Sequence, residues 1–193
     1  MKKIRWGVIS SAKIGTEKVI PAMQQSETGE IMALASRNEE TSKLVCENLG
    51  IPKAYGSYEE LLADPEIDAI YNPLPNHLHV PWTIKAAKSG KHVLCEKSFA
   101  SNALEAKEME AVGAETGLVL MDAFHYRYHP VFIRAKEIME SGEIGKVERI
   151  NAAFHVPVSD PDNIRMNYSL GGGVTMDIGC YPISWGRHLV GDE

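Results

Sequence analysis

The feature that most constrains this chain is a regular alternation of short apolar runs with amphipathic stretches, sustained from Ile4 to Met121. Ile4 to Ile9 has the apolar character of a buried strand, and Ile14 to Gln25 follows as a helix that packs Ile14, Val19, Ile20 and Met23. The pattern then predicts a strand at Ile31 to Ala35, a helix at Glu39 to Leu49 and a short strand at Lys53 to Tyr55. Ser57-Tyr58-Glu59-Glu60 opens the next helix with a capping-box pattern, and Asp68 to Tyr71 is a strand. His77 to Ser89 is a helix closed by Gly90 in the C′ position. His92 to Cys95, Ala103 to Thr116 and Val119 to Met121 complete the series as strand, helix and strand. Strands that alternate with helices imply right-handed crossovers and a mostly parallel sheet covered on both faces, an α/β fold.

In such a sheet, ligands bind outside the carboxyl ends of the strands. The first strand ends in Ser10-Ser11-Ala12-Lys13-Ile14-Gly15, where a dinucleotide fingerprint would have G-x-G-x-x-G. The three fingerprint positions are Ser10, Ala12 and Gly15. Small residues leave room for a pyrophosphate at the helix N-terminus, although a positive φ would be costly at Ala12. An ordinary β-α turn is the alternative. The second strand ends in Ser36-Arg37-Asn38, where an NAD site would carry Asp or Glu for the ribose 2′-hydroxyl. Ser36 and Arg37 instead suit a 2′-phosphate, which favours NADP, with NAD as the other possibility. The fold class is therefore a Rossmann-type doubly wound parallel sheet.

Two more strand ends fall on the same rim. Asn72-Pro73-Leu74-Pro75-Asn76 must be a loop, because its prolines fit neither helix nor strand interiors. Pro75, Asn76 and His77 are placed to line the crevice beside a nicotinamide. His92-Val93-Leu94-Cys95 delivers Glu96 and Lys97. A lysine drawn out of bulk water there has a lowered pKa suited to proton transfer; the alternative is a surface Glu–Lys pair. His77 and His79 form an H-x-H pair without further ligands, which fits packing or capping better than a metal, and no metal site is expected.

Beyond this domain, Phe124-His125-Tyr126-Arg127-Tyr128-His129-Pro130 is dense in aromatic and basic side chains, suited either to polyol binding or to a domain core. A helix is predicted at Val131 to Glu140 and a strand at Val147 to His155, followed by a polar loop from Val156 to Leu170. Gly171-Gly172-Gly173 opens a helix in which Asp177 and Tyr181, at i and i+4, share one face. Tyr181 either meets a substrate or fills the apolar face made by Met176, Ile178, Ile183 and Leu189.

Four stretches in this order resemble the glucose-fructose oxidoreductase, inositol dehydrogenase and rhizopine-catabolism family, Gfo/Idh/MocA. They are the Ser10–Gly15 turn, the Asn72–His77 loop, Glu96-Lys97, and Gly171-Gly172-Gly173 leading to Asp177-x-x-x-Tyr181. Ser36-Arg37 and a tyrosine at position 181 look most like the branch of dihydrodiol dehydrogenase, D-xylose dehydrogenase and glucose-fructose oxidoreductase. The resemblance implies hydride transfer between a nicotinamide and a sugar or polyol. It implies that Ser10, Ala12, Lys13, Ile14, Ser36, Arg37, Pro73, Leu74, Asn76, His77, Glu96 and Lys97 hold the cofactor. Lys97, Arg127, Asp177 and Tyr181 would meet the substrate, with Lys97 polarising the reacting oxygen, Tyr181 as acid/base and Asp177 orienting.

Two departures qualify the match. The family usually has proline after Glu-Lys, whereas Ser98 stands here and is expected to hold Lys97 less firmly. The family's second domain is an open sheet of several strands, and only one strand and a helix are recognisable after Glu140. The expected organisation is a cofactor domain over residues 1–123 and a partial, truncated substrate domain over 124–193, with catalysis by this 193-residue form open. An inactive dinucleotide-binding fragment or sensor is the competing expectation. A full-length relative would be a homo-oligomer.

Hydrophobic residues make up 44% and charged residues 24%, and the net charge is −6, which argues against nucleic acid or an anionic membrane as partner. Cys46, Cys95 and Cys180 are scattered, which points to reduced thiols in the cytoplasm rather than disulfides or zinc. No long apolar run follows Lys2 and Lys3, so neither a signal peptide nor a membrane span is expected.

Overall fold

The computed structural model describes residues 2–191. The chain divides into two compact units, residues 1–122 and 123–193.

The first unit is a six-stranded parallel sheet in the order β3-β2-β1-β4-β5-β6. The strands are β1 (Ile4–Ile9), β2 (Gly29–Ala35), β3 (Lys53–Tyr55), β4 (Ala69–Asn72), β5 (His92–Cys95) and β6 (Leu120–Asp122). This is the Rossmann order, with the switch point between β1 and β4, where the direction of winding reverses. The helices are α1 (Ile20–Met23), α2 (Glu39–Leu49), α3 (Tyr58–Ala63), α4 (His79–Lys88) and α5 (Ala103–Thr116). A π-helical turn, Gly15–Val19, runs directly into α1.

Successive strand residues point to opposite faces. Ile9, Ala33, Ala35, Ile70 and Val93 therefore join Leu61, Leu62 and Ala86 on one side of the sheet. Val8, Leu34 and Tyr71 join Ile20, Cys46 and Ile51 on the other. Burying each large aliphatic side chain contributes about 1.5–3 kcal/mol, so a sheet covered on both faces supplies this unit's cohesion. Gly7 allows that closeness on β1: a Cβ there would lie 2.9 Å from Leu61 Cδ1.

Local chemistry sets the helix ends. Asn38 accepts from the Thr41 N–H and starts α2, and Asn102 accepts from Leu104 and Glu105 to start α5. Ser57 accepts from the Glu60 N–H, while the Glu60 carboxylate reaches back to the Gly56 N–H, one residue earlier than a capping box requires. Gly50 and Gly117 end α2 and α5 in the left-handed conformation. At the amino ends of the strands, Arg5 and Asp68 form a bidentate pair at 2.9 and 2.7 Å. Asp64 is buried there, between Lys53 at 2.7 Å and the Tyr55 hydroxyl at 2.8 Å.

The second unit is helical. A 3-10 turn, His125–Tyr128, leads to α6 (Pro130–Ser141), and a π-helical turn, Thr175–Gly179, leads to α7 (Cys180–Val190). Phe124, Tyr126 and Tyr181 form its buried centre, packed by Phe132, Cys180 and Trp185. The strand predicted at Val147 to His155 does not form; residues 145–160 carry no regular structure. A strand needs a hydrogen-bonded neighbour, and the described residues of this unit supply none. Phe154 and Val156 stay substantially exposed on that segment.

Candidate functional site

All six strands are parallel, so Ser10, Ser36, Pro73 and Glu96 leave the sheet at one edge. The turn after β1 is held from inside. The Ser10 N–H donates to Ala35 O at 2.8 Å, and Ser10 Oγ accepts from the Ala12 N–H at 3.3 Å. The left-handed conformation expected to be a difficulty at Ala12 falls instead on Ser10, at φ 78°. That costs about 1–3 kcal/mol for a residue with a Cβ. Gly15 is buried where a Cβ would lie 3.6 Å from both Tyr71 and Pro73, so the turn packs closely on the β4 end. Lys13 and Ile14 are exposed at the start of the helix.

At the end of β2, Ser36 is buried, and its N–H donates to Tyr55 O. Arg37 is exposed. Its partner was missed from sequence: burial pushes the Tyr58 phenol up, against the nearby charge of Arg37 and a hydrogen bond with it. Tyr58 showed itself in the sequence only as part of a helix-start pattern.

The loop after β4 is tied down by buried polar groups. Asn72 is fully buried; its amide donates to His79 O at 3.2 Å and to Thr83 Oγ1 at 3.3 Å, and its Oδ1 accepts from the Leu74 N–H. Leu74 packs into the core, which leaves only its backbone to face a ligand. Asn76 is half-buried and His77 exposed. His79 is fully buried, with Nδ1 2.6 Å from Ser98 O and Nε2 2.6 Å from Leu74 O. Burial holds its pKa below the ordinary histidine value, against both carbonyls and Glu96.

Glu96 is more than a surface partner of Lys97. Its Oε1 accepts from the Tyr71 hydroxyl at 2.9 Å, its Oε2 accepts from the Lys97 N–H at 3.3 Å, and its own N–H donates to Asn72 O. Lys97 is half-buried, and the Lys97–Ser98 peptide bond is cis. Ser98, expected to hold Lys97 less firmly than a proline would, is buried, with its carbonyl against His79. The thiol of Cys95, one residue before Glu96, is pushed up to about 12 by burial.

In the second unit, Asp177 lies in the π-helical turn and Tyr181 in the first turn of α7. Tyr181 is 8% exposed and stands among the rings of Phe124, His125, Phe154 and Trp185, at 5.3 to 6.2 Å between centroids. Asp177 accepts from Arg165 Nε at 3.0 Å. Arg165 was not singled out from sequence, because it sits in a polar loop without periodicity. Gly172 explains how that loop approaches: a Cβ there would lie 2.6 to 2.8 Å from the carbonyl oxygens of Asn167, Arg165 and Ile164. Arg127 is exposed, with its guanidinium 5.9 Å from the Phe124 ring centre.

Among the described residues no three His, Cys, Asp or Glu side chains gather as a metal site. Nor is any described helix long and apolar enough to cross a membrane.

Comparison with known proteins follows the same two units. Residues 4–124 match the oxidoreductase family with an NAD-binding Rossmann fold, and residues 132–193 match a Gfo/Idh/MocA C-terminal domain. The D-xylose 1-dehydrogenase (NADP(+)) 2 of Haloferax volcanii is 46% identical over 96% of this chain and 57% of its own length. The trans-1,2-dihydrobenzene-1,2-diol dehydrogenase of Xenopus tropicalis is 36% identical over 94% of this chain and 55% of its own. The crystal structure of KijD10, a 3-ketoreductase from Actinomadura kijaniata in complex with NADP and TDP-benzene, superposes with a TM-score of 0.92 at 35% identity. That match covers 98% of this chain and 58% of KijD10. The chain thus spans a little over half the length of the relatives it matches. With its parallel sheet in Rossmann order and both of its units matched, the chain belongs to the Gfo/Idh/MocA family of oxidoreductases.

Proposed function

We propose that this chain carries the NADP site and part of the substrate site of a sugar or polyol oxidoreductase. The observation that carries the proposal is the rim itself. Ser10, Ser36-Arg37, the Asn72–His77 loop and Glu96-Lys97 leave one edge of the sheet around the switch point. The residues present fit a dinucleotide: the turn is small-residued and closely packed at Gly15, and a guanidinium stands at the end of β2. Ser10, Ala12, Lys13 and Ile14 would receive the pyrophosphate, Ser36 and Arg37 the 2′-phosphate, and Pro73, Leu74, Asn76, His77 and Glu96 the nicotinamide end. The similar Haloferax volcanii protein is an NADP(+) xylose dehydrogenase, and the similar KijD10 crystal structure holds NADP, which supports this choice of cofactor.

The bound nicotinamide would supply the capacity to accept or donate hydride. The protein must then bind the substrate, hold its reacting oxygen and move a proton. By the family resemblance, Lys97 in the first unit would polarise that oxygen, while in the second unit Tyr181 would exchange the proton, Asp177, held by Arg165, would orient the substrate, and Arg127 would be a further substrate contact. The cytoplasm is the proposed compartment, and a homo-oligomer the proposed state of a full-length relative, with the state of this chain left open.

The competing reading is a dinucleotide-binding module without turnover. NADP(H)-coupled turnover across a panel of aldoses and inositols separates the two. Turnover on any of them that is lost in Lys97→Met supports the oxidoreductase. Tight NADPH binding by folded protein with no turnover assigns this form to the module, and absence of NADPH and NADH binding overturns both.

A further inference from the structure

We propose that His79, which lies outside the set of ligand-contacting residues, is a positioning residue that ties the Lys97 segment to the loop after β4. Its ring spans two backbone carbonyls, Ser98 O on Nδ1 and Leu74 O on Nε2, each at 2.6 Å. These two carbonyls belong to the two segments at the proposed nicotinamide end, and His79 is fully buried between them. A carbonyl only accepts, so the neutral ring bonds one of them through its single N–H, and a second proton completes the bridge. Burial opposes that second proton, as does the charge of Lys97, while the two carbonyls and Glu96 favour it.

The rest of the network supports a positioning role. The His79 carbonyl accepts from the Asn72 amide, which also fixes Thr83 and the Leu74 N–H. Asn72 O accepts from the Glu96 N–H. His79 therefore sits between Leu74 O and Ser98 O, hydrogen-bonded to one of them as a neutral ring and to both when protonated, within the buried network that joins Asn72, Leu74 and Glu96, and Lys97 lies between Glu96 and Ser98. With both nitrogens turned to carbonyls, His79 is not available as a metal ligand, and the neighbouring His77 does not share its environment.

The proposal rests on the dinucleotide site argued above, and the test keeps the two separable. The full chain is compared with His79→Phe, which keeps a ring but offers no N–H, and with His79→Gln. Binding of NADPH is measured beside binding of 2′,5′-ADP, which carries adenine and the 2′-phosphate but no nicotinamide. Hydrogen exchange is followed at the backbone amides of residues 97–99 without ligand. Losing the bridge is expected to weaken NADPH about tenfold, to leave 2′,5′-ADP within about twofold, and to speed exchange at 97–99. Equal weakening of both ligands, or no change in either, with exchange at 97–99 unaltered, overturns the proposal. If His79→Phe does not fold, the same split is required of His79→Gln. If the wild-type chain binds neither ligand, the dinucleotide site is wrong, and the exchange comparison alone decides for or against the bridge.

Discussion

The Tyr71 hydroxyl, on a side chain fully buried in the sheet, donates to Glu96 Oε1 at 2.9 Å just past the end of the neighbouring strand. Because Glu96 Oε2 accepts from the Lys97 N–H, both carboxylate oxygens are held. A residue of the core thus sets the geometry of the rim. The two strands pair in register, Tyr71 with Leu94 and Asn72 with Cys95, so the hydroxyl reaches the first residues beyond β5.

Tyr71→Phe keeps the ring and removes that donor. A hydrogen bond to a charged group contributes roughly 1.5–3 kcal/mol, and a loss in that range is expected in urea unfolding. A loss below about 0.5 kcal/mol would mean that the carboxylate finds water equally well and that Tyr71 does not order it.

The cofactor preference rests on Arg37. Arg37→Ala is expected to weaken NADPH by about 1.5–3 kcal/mol, the range for a charge-assisted contact, and NADH by much less. Titration of both cofactors against both proteins measures the difference, and equal weakening contradicts the assignment. Tyr58→Phe removes the phenol that meets Arg37 and is expected to give a smaller effect in the same direction.

Acid should loosen the first unit through Asp64. Burial alone would raise its pKa, but Lys53, the Glu66 N–H and the Tyr55 hydroxyl outweigh it and hold the carboxyl at about 2. A folded-state pKa below the unfolded value of about 3.9 gives stability that is complete above that value. It is lost as pH falls toward 2. Urea midpoints of the wild type should drop across pH 4 to 2, and those of Asp64→Asn should drop less. Asp68, held well below the usual carboxylate range by Arg5, contributes in the same direction at still lower pH.

The architecture of the first unit was legible because each strand and helix announces itself locally. Alternation of apolar runs with helix periodicity, the capping pattern at Ser57 and the closing glycine at Gly90 mark the elements, and the structure adds caps at Asn38 and Asn102 and left-handed ends at Gly50 and Gly117. A parallel sheet then gathers the strand ends on one edge, so the rim could be named before it was seen. What stayed hidden depends on partners distant in sequence. Asn72 meets Thr83, His79 meets Ser98, and Tyr71 meets Glu96 across separations of 11, 19 and 25 residues. No local pattern records such pairs. Val147 to His155 shows the reverse case: its alternation is the mark of a strand, but alternation alone cannot supply the neighbour a strand requires. Arg165 escaped notice because its partner Asp177 lies across the glycine turn.

That turn gives the last prediction. The Gly172 Cα faces the carbonyl oxygens of Asn167, Arg165 and Ile164, and the Gly172 N–H donates to Asn167 O at 3.0 Å. The adjoining Gly173 N–H donates to Arg165 O at 2.8 Å, at a φ of 109° that favours glycine. A methyl group on Gly172 would meet backbone rather than a side-chain tip that can rotate away, so residues 164–173 must shift. Overpacking of this kind costs about 1–3 kcal/mol. The shift should also pull Arg165 from Asp177 while leaving the sheet of the first unit intact. Gly172→Ala is therefore expected to be cleaved faster by trypsin at Arg165, with NADPH binding kept. Cleavage at the wild-type rate would show that the loop absorbs the methyl group and that Gly172 is not what holds Arg165 against Asp177.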